Sequence, residues 1–268
     1  AAFEALGRER FAQAKARTQK RLDDWKQQVN VAGQSLNAIP APEGLGVKIL
    51  ETARKHLDTA SALLTDIGKR GFINPSEVTA IDASLEIASN AAPSLKALTE
   101  SMKEGLPYIP YVPKAISNAR ITPESVVIPG RIGRDISMSA CPGEYESASF
   151  VLQTLAPVKG LRLEATDLLG KKGRLSREVV NLRSVKCWYQ AGVQIWDTRN
   201  RLLTPELLLK DDALVRVDYE KKENSLRSTD EAGNTTYLPC SSKDSSNLDH
   251  AQPKDADTLQ PLDLDADS

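Results

Sequence analysis

Histidine, cysteine and aromatic residues are scarce in this chain of 268 residues, which contains two histidines, three cysteines and 5% aromatic residues. His56 lies in a predicted helix and His250 in a polar C-terminal stretch, so the sequence predicts no histidine-based catalytic triad and no metal cluster. Cys141, Cys187 and Cys240 lack C-x-x-C spacing and are too few for a disulfide framework. We expect reduced thiols; one disulfide bond in an exported protein is the alternative.

An excess of charge of one sign and a long apolar run are also missing. Lys and Arg number 35 against 36 Asp and Glu, so no global field attracts the chain to nucleic acid. No run of about 18 apolar residues occurs, and the sequence predicts no membrane span. The glycines of 130–134 lack the lysine and the following helix of a phosphate-binding loop, and no cofactor site is predicted. Basic residues concentrate in the first helix, which we interpret as a solvated face.

Hydrophobic residues make up 40% of the chain, which is enough for two domains. Apolar residues recur at helical spacing within residues 1–105, and we predict a three-helix bundle there, or a helical hairpin with a third helix laid across it. Gly71 and Gly105 should end the second and third helices. The third helix should begin at a capping box of Asn74 and Glu77, and Pro93 should kink or split it.

Residues 106–124 are rich in proline and should form an extended linker between the two modules. Beyond it the apolar period changes to two, and residues 125–240 predict an antiparallel β-sandwich. The predicted strand runs are Val126–Ile128, Ile136–Ala140, Ala148–Leu155, Leu161–Ala165, Val179–Trp188 and Leu214–Tyr219.

Turn residues separate the later strands of this module. Asn224 is predicted to lie in a turn, and Gly233-Asn234 should close a hairpin that returns through residues 235–238. Residues 241–268 are polar and acidic, and we expect a tail without order. The predicted fold class is α+β in two segregated modules.

The most distinctive local feature is a cluster of aromatic residues in the second module, formed by Trp188, Tyr189, Gln190 and Trp196. Aromatic rings on a β surface can stack on sugar rings, and Gln190 could bind hydroxyl groups; the alternative is that the rings fill the core. Burial of both tryptophans would exclude carbohydrate binding. Carboxylate pairs such as Asp211-Asp212, or Glu144 with Glu146, are interpreted as surface charge, and no catalytic residue is predicted.

The segment Pro142–Leu152 resembles the N-terminal β-sandwich of multidomain bacterial proteins related to family 123 glycoside hydrolases. In that group a Gly/Asn-Glu turn leads into a Ser-Phe-x-Leu strand. Leu161–Leu168, Val185–Gln190 and Leu203–Leu209 are similar to further segments of the group, and the similarity spans residues 128–264. The helical half has no counterpart.

The resemblance implies a non-catalytic N-terminal accessory region of a larger carbohydrate-active protein, periplasmic or secreted. In such proteins a (β/α) barrel follows and uses an Asp-Glu pair with the acetamido group of the substrate; no segment here matches it. The implied partners are a glycan and that C-terminal catalytic domain. Relatives continue into further strands, so the sandwich is expected to be incomplete, with an open edge and exposed apolar surface.

Two other functions are compatible with the residues alone. The first is a protein-binding or scaffold module in which the helical bundle contacts a partner, and a large exposed apolar patch on the helices would favour it. The second is a self-contained hydrolase, which requires two carboxylates facing each other in a deep pocket.

Overall fold

The computed structural model describes residues 2–40, 42–115, 119–171, 173–190, 200–240 and 252–265. Three helices are followed by short antiparallel strands, so the predicted α+β fold class is confirmed. The chain divides into two compact units. The first, which we call the helical unit, comprises residues up to 119 together with 125–156; the second, the strand-rich unit, comprises residues 120–124 and 157–266.

The helices of the helical unit form the predicted three-helix bundle. They are α1 (Ala2–Asn37), α2 (Leu45–Arg70) and α3 (Pro75–Glu104). Each contributes one apolar stripe, because only packing against partners removes that stripe from water. The shared core contains Leu22 and Trp25 of α1, Ala60, Leu64 and Ile67 of α2, and Ile81 and Leu85 of α3.

The ends of α2 and α3 agree with the sequence analysis. Gly71 and Gly105 have φ of 77° and 66°, the left-handed conformation that ends a helix. Asn74 and Glu77 form the capping box, and the hydrogen bond from the backbone N–H of Asn74, followed by that from Arg70, lowers the pKa of Glu77. The predicted split at Pro93 does not occur, because buried residues on both sides of it keep α3 packed against the bundle.

The predicted linker contains a central strand of the helical unit. Strand β1 (Tyr108–Val112) lies between β2 (Arg131–Ile132) and β3 (Val151–Thr154) in an antiparallel sheet. Ile109 and Tyr111 of β1 are fully buried. The Tyr111 hydroxyl donates to Oε1 of Gln153 at 3.0 Å, and Nε2 of Gln153 donates to the carbonyl of Val126 at 2.8 Å. Alternate apolar residues thus place this proline-rich segment in the core.

The strand-rich unit contains nine short strands in its described residues, all paired antiparallel. They are β4 (Val158–Leu161), β5 (Leu168–Gly170), β6 (Gly173–Leu175), β7 (Ser184–Gln190), β8 (Leu202–Leu209), β9 (Val215–Asp218), β10 (Glu223–Thr229), β11 (Thr235–Pro239) and β12 (Leu262–Leu264). Strands β9, β10 and β11 form one sheet, and β4–β12, β5–β6 and β7–β8 form two-stranded sheets. A small core in this unit contains Leu209 of β8, Leu214, and Val215 of β9.

Several local predictions for the strands can be compared with this arrangement. The hairpin at Gly233-Asn234 is confirmed, because β10 pairs with β11 across it. The prediction that Asn224 lies in a turn is wrong: it lies in β10 and is 3% exposed, and the turn precedes it, where Lys222 has a φ of 55°. Residues 126–128 and 136–140 are not strands.

Residues 252–265, which we expected to belong to a tail without order, are built into the strand-rich unit. Strand β12 pairs with β4, and Leu262 lies opposite Leu161. The Asp255 carboxylate accepts hydrogen bonds from the backbone N–H groups of Lys210, Asp211 and Ala256. The polar composition of this stretch therefore gave no sign that Asp255 anchors it. The anchor is the carboxylate, which accepts hydrogen bonds from backbone N–H groups. Residues 241–251 of the expected tail lie outside the described residues.

Replacing Asp255 with asparagine should destabilise the strand-rich unit by about 2 kcal/mol at neutral pH, because a charged acceptor of several backbone N–H groups is lost. Burial raises the pKa of Asp255, but the three N–H groups, together with the charge of Arg183, outweigh it and the net shift is downward. The folded pKa is therefore below the unfolded value, so this contribution is present above about pH 4 and is lost as the pH falls through the folded pKa.

Urea unfolding at neutral and acidic pH, followed by hydrogen exchange of peptides from β8 and β12, measures this effect. The difference between wild type and Asp255→Asn should shrink as the pH falls. Asp257→Asn is the matched control, because the Asp257 side chain is exposed and only its backbone carbonyl receives a hydrogen bond, from Lys210. Equal stability of Asp255→Asn and wild type at neutral pH would contradict the anchoring role.

Candidate functional site

The four residues predicted to bind carbohydrate occupy β7 and the segment after it. Side chains alternate between the faces of a strand, so Trp188 and Gln190 share one face, where both are partly buried. Tyr189 lies on the opposite face and is 9% exposed. Trp196 lies outside the described residues. The structure therefore brings Trp188 and Gln190 together and separates Tyr189 from them.

The indole of Trp188 is held by a carboxylate that the sequence analysis did not identify. Nε1 of Trp188 donates to Oε2 of Glu206 on the neighbouring strand β8 at 3.1 Å, and the Glu206 side chain is exposed. Thr204 lies directly opposite Trp188. An aromatic ring, a carboxylate and the nearby Gln190 amide form what we call the Trp188 surface: Trp188, Gln190, Thr204 and Glu206.

A β-bulge places Glu206 beside Trp188. The register passes from Lys186 opposite Leu207 to Cys187 opposite Pro205, so Glu206 is the extra residue of β8. Proline has no N–H to donate to a ladder, and bulges accommodate it. Bulges also re-aim side chains. Pro205 within the apolar run of β8 is the signal in the sequence that could have pointed to this irregularity.

On the opposite face of β7, Cys187 and Tyr189 are buried. The rings of Tyr189 and Tyr219 meet edge to face with centroids 6.4 Å apart, and the Tyr189 hydroxyl donates to the Tyr219 carbonyl at 3.4 Å. Burial raises the pKa of the Tyr189 phenol, and the carboxylates of Glu124 and Asp218 add to the increase. Tyr189 is therefore a protonated, space-filling side chain in this unit.

Cys187 also lies on this buried face and is poorly suited to nucleophilic chemistry. Burial raises the pKa of its thiol; Lys186 opposes this shift and Asp212 adds to it. A thiol must lose its proton to act as a nucleophile, so Cys187 is largely unreactive near neutral pH. Cys141, Cys187 and Cys240 are all free thiols in the structure.

The amide of Asn224 joins β10 to the edge of β7 at Tyr189, the residue next to Trp188. Its Oδ1 accepts from the backbone N–H of Tyr189 at 2.9 Å, and its Nδ2 donates to the carbonyl of the same residue at 2.7 Å. The backbone carbonyl of Asn224 also accepts from the N–H of Cys240 at 2.9 Å. Asn224 thus replaces a missing ladder partner and fixes the backbone next to Trp188.

The carboxylates of the adjacent pair Asp211-Asp212 bind different cations. Asp211 pairs with Arg227 at 2.7 Å and accepts from the N–H of Ala213 at 3.0 Å, whereas Asp212 pairs with Lys186 at 2.6 Å. Both acids therefore serve structural bonds. Within the described ranges, no group of three or more His, Cys, Asp or Glu residues is arranged to hold a metal ion. In the same ranges no helix has the length and apolar character that crossing a bilayer requires.

The Trp188 surface is the candidate functional site on its geometry: a fixed indole lies beside hydrogen-bonding groups, on a strand whose edge is bonded by the Asn224 amide. The similarity of residues 128–264 to the glycoside-hydrolase group remains an expectation from the sequence. Comparison with protein-family models, with curated proteins and with solved structures finds no match for this chain.

Proposed function

We propose that this chain is a non-catalytic accessory region of a larger, glycoside-hydrolase-like protein, and that its strand-rich unit binds glycan through the Trp188 surface. The observation that carries the proposal is the partly buried indole of Trp188, whose edge is held by Glu206 at 3.1 Å. A ring fixed in this way loses little conformational entropy when a sugar ring stacks on it.

The groups around the indole match the chemistry of a sugar. Glu206 accepts hydrogen bonds from hydroxyl groups, and the Gln190 amide both donates and accepts them. The surface is open rather than enclosed, so we expect weak binding, with a Kd of roughly 0.1–1 mM. The acids Asp211, Asp212 and Asp255 are engaged in ion pairs or backbone hydrogen bonds, which supports a binding role rather than acid-base catalysis by these groups.

Titration of the full chain with N-acetylhexosamine oligosaccharides and with glucose oligosaccharides, monitored by calorimetry, tests this function. Trp188→Ala should weaken binding at least about tenfold, because the stacking ring is lost. Tyr145→Ala is the matched control, since Tyr145 is an aromatic residue that is 97% exposed and lies in the helical unit. Binding that is unchanged in Trp188→Ala, or no binding of any of these sugars at millimolar concentration, would refute the proposal.

A second candidate function is protein binding through the helical unit. Among the side chains of α1 that the structure describes, Leu22 is the first that belongs to the core. Between Glu9 and Arg21 every described side chain of α1 is exposed except that of Thr18, which is partly buried. Five of the six charged residues in this stretch are basic, which favours an acidic partner.

Deleting residues 2–20 should leave the unfolding midpoint of the bundle unchanged; a lower midpoint would show that the segment serves the fold.

A further inference from the structure

The hairpin formed by β5 and β6 is exposed on both faces, although it carries large apolar side chains. Every described residue from Leu168 to Val179 is exposed, and Leu169 is 82% exposed. Asp167 holds the base of the hairpin: Oδ1 accepts from the N–H of Arg177 at 2.9 Å and Oδ2 pairs with Arg174 at 3.1 Å. The hairpin is thus held in a defined position while its leucines face solvent.

One edge of this hairpin is suited to pair with another strand. Within the described residues β5 pairs with β6 alone. Gly170 lies opposite Gly173, and two residues separate them along the chain. When two residues separate a facing pair in a hairpin, that pair exchanges backbone hydrogen bonds, and bonded pairs alternate with non-bonded pairs along the strands. The next pair, which contains Leu169, is therefore not hydrogen-bonded. The backbone N–H and C=O of Leu169 thus face away from β6. Exposed edges of this kind are templates for further pairing.

We propose that two copies of this chain associate by antiparallel pairing of their β5 strands, with the two-fold axis at Leu169. In this register Leu169 lies opposite the partner's Leu169, and Leu168 lies opposite the partner's Gly170. Asp167 then lies opposite the partner's Lys171, and this pair of opposite charges occurs twice because the contact is symmetric. Strand β5 is thus complementary to itself in apolar character, and its two flanking residues, Asp167 and Lys171, are complementary in charge.

The second copy also covers the exposed leucines. Leu168 and Leu175 are cross-strand partners and share a face of the hairpin. Antiparallel pairing of β5 with β5 creates a four-stranded sheet, in which these two leucines and the partner's equivalent pair form one apolar face. The two copies of Leu169 meet on the other face. A contact of this size is smaller than a typical stable interface, so the dimer should be weak and should depend on concentration.

Sedimentation equilibrium of the full chain tests the proposal, at concentrations from roughly 1 to 300 µM, the range suited to a weak dimer. The mass should rise from 29.2 kDa towards twice that value. Leu169→Lys should abolish the rise, because two like charges would then meet on the axis. Lys171→Glu should weaken the dimer about tenfold, since it places two acids opposite each other at two sites. Lys254→Glu makes the same charge change at an exposed position elsewhere and should have no effect.

Salt supplies an independent readout. Raising the salt concentration should weaken the wild-type dimer and strengthen that of Lys171→Glu, because screening reduces attraction in the first and repulsion in the second. All the substituted residues are exposed, and circular dichroism should show unchanged folding. A mass of 29.2 kDa at every wild-type concentration would overturn the proposal. A dimer insensitive to both Leu169→Lys and Lys171→Glu would overturn it equally.

Discussion

Replacing Trp25 with alanine should destabilise the helical unit by about 4 kcal/mol, which is within the range for removing a large aromatic residue from a core. Trp25 of α1 is 3% exposed and packs in the core that all three helices share. Its Nε1 donates to Oδ1 of Asp82 on α3 at 2.8 Å, and the other oxygen of Asp82 pairs with Arg21 at 3.0 Å. The substitution therefore removes packing and also takes one hydrogen-bond donor away from the exposed Asp82 carboxylate.

Urea unfolding followed by circular dichroism in the helical band measures this loss. Trp25→Phe keeps most of the ring volume but removes the N–H donor, so it should cost about 1–2 kcal/mol. Trp188→Ala is the control for the loss of a tryptophan, because Trp188 belongs to the strand-rich unit. If Trp25→Ala and Trp188→Ala were to shift the helical transition equally, the assignment of Trp25 as the central residue of the bundle would be wrong.

Replacing Asn224 with alanine should destabilise the strand-rich unit by about 3 kcal/mol. Asn224 is 3% exposed and forms two hydrogen bonds with the backbone of Tyr189. Alanine leaves the N–H and the C=O of Tyr189 without these partners in a buried place, and each unsatisfied group costs about 1–3 kcal/mol. Asn224→Asp should also be destabilising, because an oxygen replaces the donor that faces the Tyr189 carbonyl.

Native-state hydrogen exchange measures this effect in each unit separately. Exchange should accelerate in peptides from β7 and β10 and stay unchanged in peptides from α2 and α3. Asn234→Ala is the control: Nδ2 of Asn234 binds Asp230 in an exposed turn, and the substitution should cost less than about 1 kcal/mol. Unchanged protection of β7 in Asn224→Ala would show that water or another group readily replaces the amide.

Features that depend on neighbours along the chain could be predicted from the sequence. The apolar period of the helices requires only that each helix buries one stripe, and all three helices followed from it. The capping box of Asn74 and Glu77 and the left-handed glycines at 71 and 105 are likewise local signals. The Gly233-Asn234 hairpin belongs to the same class, since a positive φ at Gly233 supports its turn.

Features that depend on contacts between distant residues could not be predicted. Asn224 and Tyr189 are 35 residues apart, Lys210 and Asp255 are 45 apart, and Trp188 and Glu206 are 18 apart. A polar residue such as Asn224 or Asp255 has the same local signature whether it lies in a turn or completes a buried hydrogen-bond network. The candidate site was therefore found in part: Trp188 and Gln190 were named from the sequence, and Glu206 was not.

Composition alone also misled the boundary between the units. The prolines of 106–124 indicated a linker, yet Ile109 and Tyr111 alternate in a way that fits the middle of a sheet. Residues 125–156 belong to the helical unit because they contain β3, which pairs with β1. Two apolar residues at strand spacing outweighed the proline content, since burying them is more favourable than leaving them in water.

The pairing of β12 with β4 sets an order of events during synthesis. Leu161 and Leu262 lie opposite each other although about a hundred residues separate them. Almost the whole of the strand-rich unit must therefore be synthesised before β4 and β12 can pair. The helical bundle can form earlier, because its three helices are complete by residue 104. A nascent chain halted near residue 240 would thus carry a complete helical bundle and a strand β4 whose partner is not yet translated, and an unpaired strand edge of this kind is prone to aggregation.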